Sequence, residues 1–421
     1  MAVTALPLSR LRILRPLRIR DFAFLWTGMT VSFLGDGLYT VAIAWQVYSI
    51  SNAPTALAVV GVAWMVPQVV LLLIGGAISD RFERRQLLMV SDAIRGSAIA
   101  AIGVLSVTGT LRLWHIVALV ALYGTGGALF MPAFTGIVRD VVPRELLLEA
   151  NSLDQFVRPL CVRLIGPAVG GLVIGAAGAG AAFLADAGSF AFSATAFLLM
   201  QTRSVPAVGE GRSLGRDIVE GISYVRSQTW LWVTLGAVTL SMLFFLGPVY
   251  VLMPYVVKNS LHGGAEGLGL VFAAGGVGAI TAALFRGQLG LPRRPLTVVY
   301  LAWAGTAFSL VGYAVVDAVW QAMLVSFFSV GCLTTGAIVW TTVLQRAVPG
   351  RMIGRVSSLD WVLSLSLTPL SYALTGPIAN VLGARTTLFR AGIVSGAVML
   401  LVLIVAPGIR SVGSHEHAPT A

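Results

Sequence analysis

The sequence predicts an all-α membrane protein with twelve transmembrane helices in two pseudo-symmetric six-helix bundles. Of its 421 residues, 57% are hydrophobic and only 11% are charged, whereas soluble domains carry about 25% charged residues. A soluble fold of this length would have too few charges to solvate its surface. The hydrophobic residues also form runs of about 20 residues, the length that an α-helix needs to cross a bilayer.

Twelve such runs are separated by short segments that contain Arg, Gly or Pro. The longest polar interruption, 203–229, divides the runs six and six, which predicts an N-terminal bundle (1–203), a cytoplasmic linker (204–229) and a C-terminal bundle with a polar tail (230–421). Apolar residues at a helical period predict a short interfacial helix within the linker. The predicted spans are about 22–49, 56–79, 86–108, 113–136, 153–176, 180–202, 230–257, 266–286, 296–316, 318–343, 356–381 and 386–408.

The formal net charge of +11 reflects topology. With the N-terminus inside, the outer connections hold only Arg112, Lys258 and Arg385 as basic residues, while the cytoplasmic connections hold most of the arginines. This positive-inside pattern predicts a multi-pass protein of the bacterial cytoplasmic (inner) membrane with both termini in the cytoplasm. It also argues against a nucleic acid partner. The arginines before the first span act as a topology signal or as an arm on anionic lipid.

The two halves contain an internal repeat. The segment VPRELLLEANSLD (142–154) resembles VPGRMIGRVSSLD (348–360) at an offset of 206 residues, and each is followed by a span with a Gly-Pro pair, Gly166-Pro167 and Gly376-Pro377. Internal repeats with a substrate site between the halves are typical of secondary transporters.

The connection between spans two and three, GGAISDRFERR, fits the pattern G-x-x-x-D-R-x-x-R-[RK] of the major facilitator superfamily. The chain resembles this superfamily along its whole length, which implies its twelve-helix fold and transport by alternating access. The resemblance also implies that the motif forms a cytoplasmic latch, made in one conformation and broken in the other; otherwise its arginines only set topology. The motif residues are Gly76, Asp80, Arg81, Arg84 and Arg85.

A second motif, RLIGPAVGG in span five, resembles the signature of drug/proton antiporters at Gly166, Pro167, Gly170 and Gly171. The alternative is a generic flexible span, because Gly and Pro are common in membrane helices. The Arg that twelve-span antiporters usually carry in span four is absent here. The chain is therefore more similar to the branch that contains macrolide efflux proteins and the enterobactin exporter.

Asp36 is the outstanding ionisable residue within a span, where a charged group costs about 3 kcal/mol at the bilayer centre. Ser32, Asp36, Tyr39 and Gln46 recur at helical spacing and form a polar stripe on span one. Because burial favours the neutral form of a carboxyl group, we expect Asp36 to carry protons or to anchor a cationic substrate. The structural alternative pairs Asp36 with Arg158 or Arg163, and these arginines are further candidates for proton coupling. Arg163 is also a possible contact for an anionic cargo.

Other acidic residues have simpler expectations. Asp92 and Arg95 are three residues apart and should form a local ion pair. Asp154, Asp186 and Asp360 stand near predicted helix starts, where a carboxylate caps the helix and favours its dipole.

The resemblance implies that spans one, four, seven and ten line a cargo pocket, although each lining residue could instead be plain packing. The expected lining is apolar and aromatic, which suits a bulky amphipathic molecule better than a sugar. Besides Ser32 and Asp36, the nominated residues are Tyr39, Gln46, Tyr123, Phe130, Met131, Phe244, Tyr250, Met253, Thr335 and Trp340.

These patterns predict a proton-coupled exporter of bulky amphipathic molecules such as antibiotics. A siderophore or other metabolite exporter is the alternative, followed by a lipid translocase or a non-transporting membrane protein. The sequence has no Walker-type loop and no H-E-x-x-H or G-x-S-x-G motif, so we expect no enzyme activity. Two cysteines and four histidines lack metal-ligand spacing. We therefore expect no metal or cofactor. The expected energy source is a proton gradient, and the expected partners are protons, cargo and lipids. We expect the protein to be a monomer.

Overall fold

The computed structural model describes residues 12–201, 214–289 and 291–405, which are almost entirely helical and contain no β-strand. The side chains of residues 72–81, among others, lie outside this description. The first half contains α1 (Arg20–Ile50), α2 (Pro54–Arg81), α3 (Arg84–Val107), α4 (Leu113–Val141), α5 (Leu147–Pro159) and α6 (Gly166–Leu198). The remainder contains α7 (Leu214–Ser227), α8 (Thr229–Gly247), α9 (Met253–Asn259), α10 (Gly264–Leu289), α11 (Pro295–Val315), α12 (Val319–Ala347), α13 (Gly350–Ser366), α14 (Thr368–Leu382) and α15 (Ala384–Val405).

Ten helical stretches in the described ranges are long and apolar enough to cross a membrane. One of them, Phe156–Leu198, has 43 residues and bends at Gly178, whose φ of 82° is accessible to Gly at no steric cost. It therefore supplies two crossing-length helices. α1 adds a further helix of 31 residues. The chain is an all-α membrane protein, and its helices agree with the predicted twelve spans.

Contacts divide the chain into two units. One unit comprises Met1–Ile43 and Ala63–Gly209, and the other comprises Ala44–Val62 and Glu210–Ala421. The end of α1 and the start of α2 therefore pack with the second unit. α7 occupies the part of the linker that its apolar period predicts to be helical.

In the first unit, α1 passes very close to α6. A Cβ atom at Gly166 would lie 2.6 Å from the Cα of Gly37, and one at Gly170 would lie 3.0 Å from the Cα of Leu38. Small residues at a crossing allow two helix backbones to approach each other in this way. The Gly-Pro motif thus brings α6 against the middle of α1, next to Asp36.

The two repeated segments begin with the same conformation in both halves. Val142 and Val348 are extended and end their helices, with backbone N–H bonds of 3.0 Å to Val138 and Leu344. The following prolines each accept a bond from the residue three positions later, at 2.9 Å for Leu146 and 2.8 Å for Met352. The sequence repeat therefore corresponds to a structural repeat.

The second unit has an aromatic core. The ring centroid of Trp340 lies 5.9 Å from that of Trp303 and 6.1 Å from that of Trp230. The Tyr300 hydroxyl beside them donates a 2.9 Å hydrogen bond to Thr234. These contacts hold α8, α11 and α12 together.

The segment Ala44–Val62 joins this unit through α1. The Tyr48 hydroxyl donates a 2.5 Å bond to the Val251 carbonyl, and the Lys258 ammonium donates to the Tyr48 carbonyl. Lys258 Nζ also lies 5.5 Å from the Trp45 ring. Because Tyr48 is in the last turn of α1, the cation satisfies a terminal carbonyl at the negative end of the helix dipole.

Candidate functional site

Asp36 lies near the middle of α1 and is only partly buried. The Tyr123 hydroxyl on α4 donates a 2.8 Å hydrogen bond to Asp36 Oδ1. The positive charges of Arg95 and Arg158 also act on Asp36. Asp36 therefore has polar partners on neighbouring helices.

Aromatic rings surround the Asp36–Tyr123 pair. Tyr39 stacks on Tyr123 with 4.9 Å between ring centroids, and Phe183 meets Tyr39 edge-on at 6.2 Å. Phe190 meets Tyr123 edge-on at 6.2 Å. Such pairs stabilise a defined ring arrangement beyond simple burial. The rings fix the position of the Tyr123 hydroxyl that faces Asp36.

Asp92 and Arg95 form the predicted ion pair, which is confirmed at 2.5 Å. Both residues are buried, with 1% and 5% of their surface exposed. The Arg95 guanidinium lies 4.3 Å from the Phe130 ring and 4.6 Å from the Phe190 ring, so two aromatic faces stabilise its charge. The pair places one cation and one anion beside Asp36.

Asp186 also belongs to the electrostatic surroundings of Asp36, although its sequence position predicts a helix cap. The prediction that Asp154, Asp186 and Asp360 cap helix starts is wrong, because each lies well inside its helix. Asp154 pairs with Arg158, and Asp360 accepts a 3.1 Å bond from the Trp340 indole. Asp186 is fully buried, at 0% exposure, and interacts electrostatically with Asp36. An acid inside an apolar run was the available signal.

The two arginines proposed as partners of Asp36 lie in different surroundings. Arg158 forms a 2.9 Å ion pair with Asp154 and lies 4.6 Å from the Phe33 ring, while its charge also acts on Asp36. Arg163 lies on the π-helical turn Leu160–Ile165 and is exposed. Only Arg158 thus belongs to the electrostatic surroundings of Asp36 among these two.

Four of the residues predicted to line a cargo pocket are buried in the first unit. Ser32, Tyr39, Tyr123 and Phe130 are buried within the bundle, and the Met131 side chain lies outside the described residues. Gln46, half-buried, belongs to the Ala44–Val62 segment.

In the second unit, Tyr250 is exposed and Phe244 is partly exposed. Met253 and Trp340 are buried in the core. The Thr335 hydroxyl bonds to the Gly331 carbonyl of its own helix at 2.9 Å. The hydroxyl of Thr335 is thus used locally on α12.

Two arginines of the GxxxDRxxRR motif make contacts within the first unit. Arg84 forms a 2.8 Å ion pair with Asp140 at the end of α4. Arg85 donates a 2.5 Å bond to the Met200 carbonyl and a 3.3 Å bond to the Leu198 carbonyl. The start of α3 is thereby fastened to the ends of α4 and α6.

The remaining motif positions, Gly76, Asp80 and Arg81, lie at the end of α2, and their side chains are outside the described residues. The antiporter-motif residues Gly166, Pro167, Gly170 and Gly171 are all buried in α6. The first two glycines of that motif form the crossing with α1 described above.

A family model described as transmembrane secretion effector matches residues 12–419. The multidrug efflux pump Tap of Mycolicibacterium fortuitum is 25% identical over 395 residues, covering 88% of this chain and 91% of that protein. The enterobactin exporter EntS of Shigella boydii is 24% identical over 389 residues, covering 89% of each. An uncharacterized MFS-type transporter of Bacillus subtilis, YfiS, is 24% identical over 402 residues, covering 90% and 92%.

Solved structures share the fold. A POT family transporter in complex with 5-aminolevulinic acid has a TM-score of 0.71 at 13% identity, covering 91% of this chain and 96% of that one. The nucleoside transporter NupG has a TM-score of 0.68 at 9% identity, covering 92% and 99%. These likenesses concern the arrangement of helices alone.

Proposed function

Since the chain belongs to the transmembrane secretion effectors of the major facilitator superfamily, we propose that it is a proton-coupled exporter of bulky amphipathic small molecules. The single observation that carries this proposal is Asp36, a carboxyl group in the middle of a membrane helix with a tyrosine hydroxyl as its partner. Ionisable residues at this depth are costly, and in transporters they mark ion or substrate pathways.

Two features support a proton as the coupling ion. Asp36 is partly exposed, as a residue that exchanges protons with water must be, whereas the Asp92–Arg95 pair is buried. Arg95 and Arg158 favour the ionised form of Asp36, whereas burial favours its neutral form, so both forms have support. In this proposal the proton gradient drives transport.

The cargo class follows from the aromatic surroundings of Asp36. Asp36 supplies one carboxylate, and Tyr39 and Tyr123 beside it supply aromatic rings, a combination that suits an amphipathic cation. Relatives named as multidrug efflux pumps agree with such a cargo. In this proposal the protein works as a monomer in the cytoplasmic membrane, with both termini inside, as the arginine distribution predicts.

A siderophore or another anionic metabolite is the second candidate cargo. The relative named as an enterobactin exporter and the exposed guanidinium of Arg163 favour it. An anionic cargo would bind Arg163 rather than Asp36. The two candidates therefore differ in a cargo-binding assay. Asp36→Asn should weaken the binding of an amphipathic cation, whereas Arg163→Gln should weaken the binding of an anionic metabolite.

Transport into inside-out membrane vesicles tests the main proposal. We expect vesicles that are acidified inside to accumulate ethidium, and collapse of the pH gradient to release it. Asp36→Asn should abolish the accumulation while the protein remains in the membrane. Asp317→Asn is the matched control, because that carboxylate is exposed in a connection and ion-paired only with Arg385 among the described residues. Undiminished accumulation by Asp36→Asn would remove Asp36 from the mechanism.

The cargo itself is identified in cells. A deletion strain should become more susceptible to amphipathic antibiotics if the main proposal holds. A strain that loses siderophore secretion instead, with unchanged susceptibility, would favour the second candidate.

A further inference from the structure

Asp186 is a buried acid with little to compensate its charge. It is fully buried in α6, and its Oδ1 accepts one 3.3 Å bond from the Ser189 hydroxyl. Among the described residues, none donates a hydrogen bond to its Oδ2. A buried carboxylate is costly unless hydrogen bonds and a cation compensate it. One neutral hydroxyl compensates it only weakly.

The cation that acts on Asp186 is already bound elsewhere. Arg95 is the guanidinium that interacts electrostatically with Asp186. It forms the 2.5 Å ion pair with Asp92 and lies between the Phe130 and Phe190 rings. The charge of Arg95 is thus largely neutralised by Asp92, and its aromatic contacts hold it in place.

The other titratable groups that act on Asp186 are a carboxyl and two phenols. Asp36 on α1 is the acid, and Tyr39 on α1 and Tyr123 on α4 are the phenols. None of these adds a positive charge. Asp186 and Asp36 thus face one guanidinium, Arg95, which is already paired with Asp92.

Asp186 lies where α6 contacts α1, and it interacts electrostatically with Asp36. A Cβ atom at Gly35 would collide with Asp186 Oδ1 and with the Ser189 hydroxyl. Asp186 and Ser189 thus occupy the space that a side chain at position 35 would need, directly beside Asp36 in the sequence. Two carboxyl groups that interact in a low-dielectric interior do not both ionise readily, and they titrate as a pair.

We propose that Asp186 is a second proton-binding residue, which shares a proton with Asp36. In the exchange, the O–H bond of the Asp186 acid breaks and an O–H bond forms on the Asp36 carboxylate, so the pair keeps a net charge of −1. Asp36 is the partly exposed member that exchanges protons with water, and Asp186 is the buried reservoir. This inference rests on the proposed proton coupling and assigns the coupling to a pair of residues.

Infrared difference spectroscopy of the purified protein in lipid nanodiscs tests the protonation directly. We expect the spectrum of wild type minus Asp186→Asn at pH 7 to contain a carboxylic acid C=O band. Asp36→Asn should shift the frequency of that band, because the proton on Asp186 is then no longer shared with a second carboxylate. The surface variant Asp317→Asn should leave it unchanged. Carboxylate bands in place of the acid band in the wild-type minus Asp186→Asn spectrum would overturn the proposal.

The spectroscopic result does not depend on transport. If wild-type protein in liposomes shows no ethidium flux with a pH gradient, the proposed function fails, yet the acid band still decides the state of Asp186. If flux is present, Asp186→Asn should reduce the protons moved per ethidium. An unchanged ratio would overturn the sharing of the proton. Should Asp186→Asn not fold, a wild-type minus Asp36→Asn spectrum without any change in the carboxylic acid C=O region would overturn it equally.

Discussion

The Tyr123 hydroxyl and Asp36 Oδ1 lie 2.8 Å apart and join α4 to the middle of α1. The bond is held in place by the stacking of Tyr123 on Tyr39. The Tyr123 hydroxyl, as a donor on a neighbouring helix, thus stabilises the carboxylate form of Asp36, the proposed coupling residue. A relative rotation of α1 and α4 would break this bond.

Tyr123→Phe should slow pH-gradient-driven efflux about tenfold. The substitution keeps the ring and its stacking but removes a hydrogen bond to a carboxylate, a contact of about 1.5 kcal/mol or more. Initial rates of ethidium efflux from liposomes measure the effect. Tyr313→Phe on α11, far along the chain from this site, is the matched control. Equal rates for Tyr123→Phe and wild type would show that the bond has no part in transport.

Asp92→Asn should destabilise the protein by about 3 kcal/mol, because it leaves the buried Arg95 charge without its counter-ion. The melting temperature of the detergent-solubilised protein should fall clearly. Asp317→Asn removes an exposed ion pair and should change stability by less than about 1 kcal/mol. A pair of variants with matching melting temperatures would contradict the structural role of Asp92.

Gly166→Ala should destabilise the bundle by about 1–3 kcal/mol, since the new methyl group would lie 2.6 Å from the Gly37 backbone, which has no side chain to move aside. Gly127→Ala on α4 is the control, because no atom lies within 4 Å of a Cβ atom there. Thermal unfolding distinguishes the two. If both alanines were tolerated alike, the close crossing of α1 and α6 would be refuted.

Lys258→Met should lower stability by about 1 kcal/mol, because the Tyr48 carbonyl loses a charged donor. Lys258→Arg keeps a cation in reach of that carbonyl and should retain most of the stability. Chemical denaturation in detergent compares the three proteins. A methionine variant as stable as wild type would mean that the end of α1 does not need this contact.

Much of this fold is predictable because the membrane imposes it. Hydropathy and run length alone located the spans, since every backbone polar group in a bilayer must be paired within a helix. The ion pair of Asp92 and Arg95 was predictable for a similar reason, because residues three apart on a helix share a face. The internal repeat was also visible in the sequence, and the structure has the same turn after its Val-Pro pair in both halves.

The position of Asp186 was not predictable from local pattern. Asp186 lies six residues after a predicted span start, where an acid is easily taken for a helix cap, and only the packing of α6 against Gly35 brings it near Asp36. Likewise, the sequence nominated Arg158 as a partner of Asp36, whereas the i,i+4 neighbour Asp154 forms the ion pair described here. These pairings depend on which helix faces pack together. The residues that surround each position in the sequence do not specify that packing.

Lys258, which binds the end of α1, is the single lysine of the chain. An ε-amine reagent therefore has one target side chain, and that amine is occupied by the Tyr48 carbonyl while the contact lasts. Acylation of Lys258 would proceed only when the end of α1 moves away from α9. The labelling rate at this one position would thus report how often the contact opens, with no engineered cysteine in the protein.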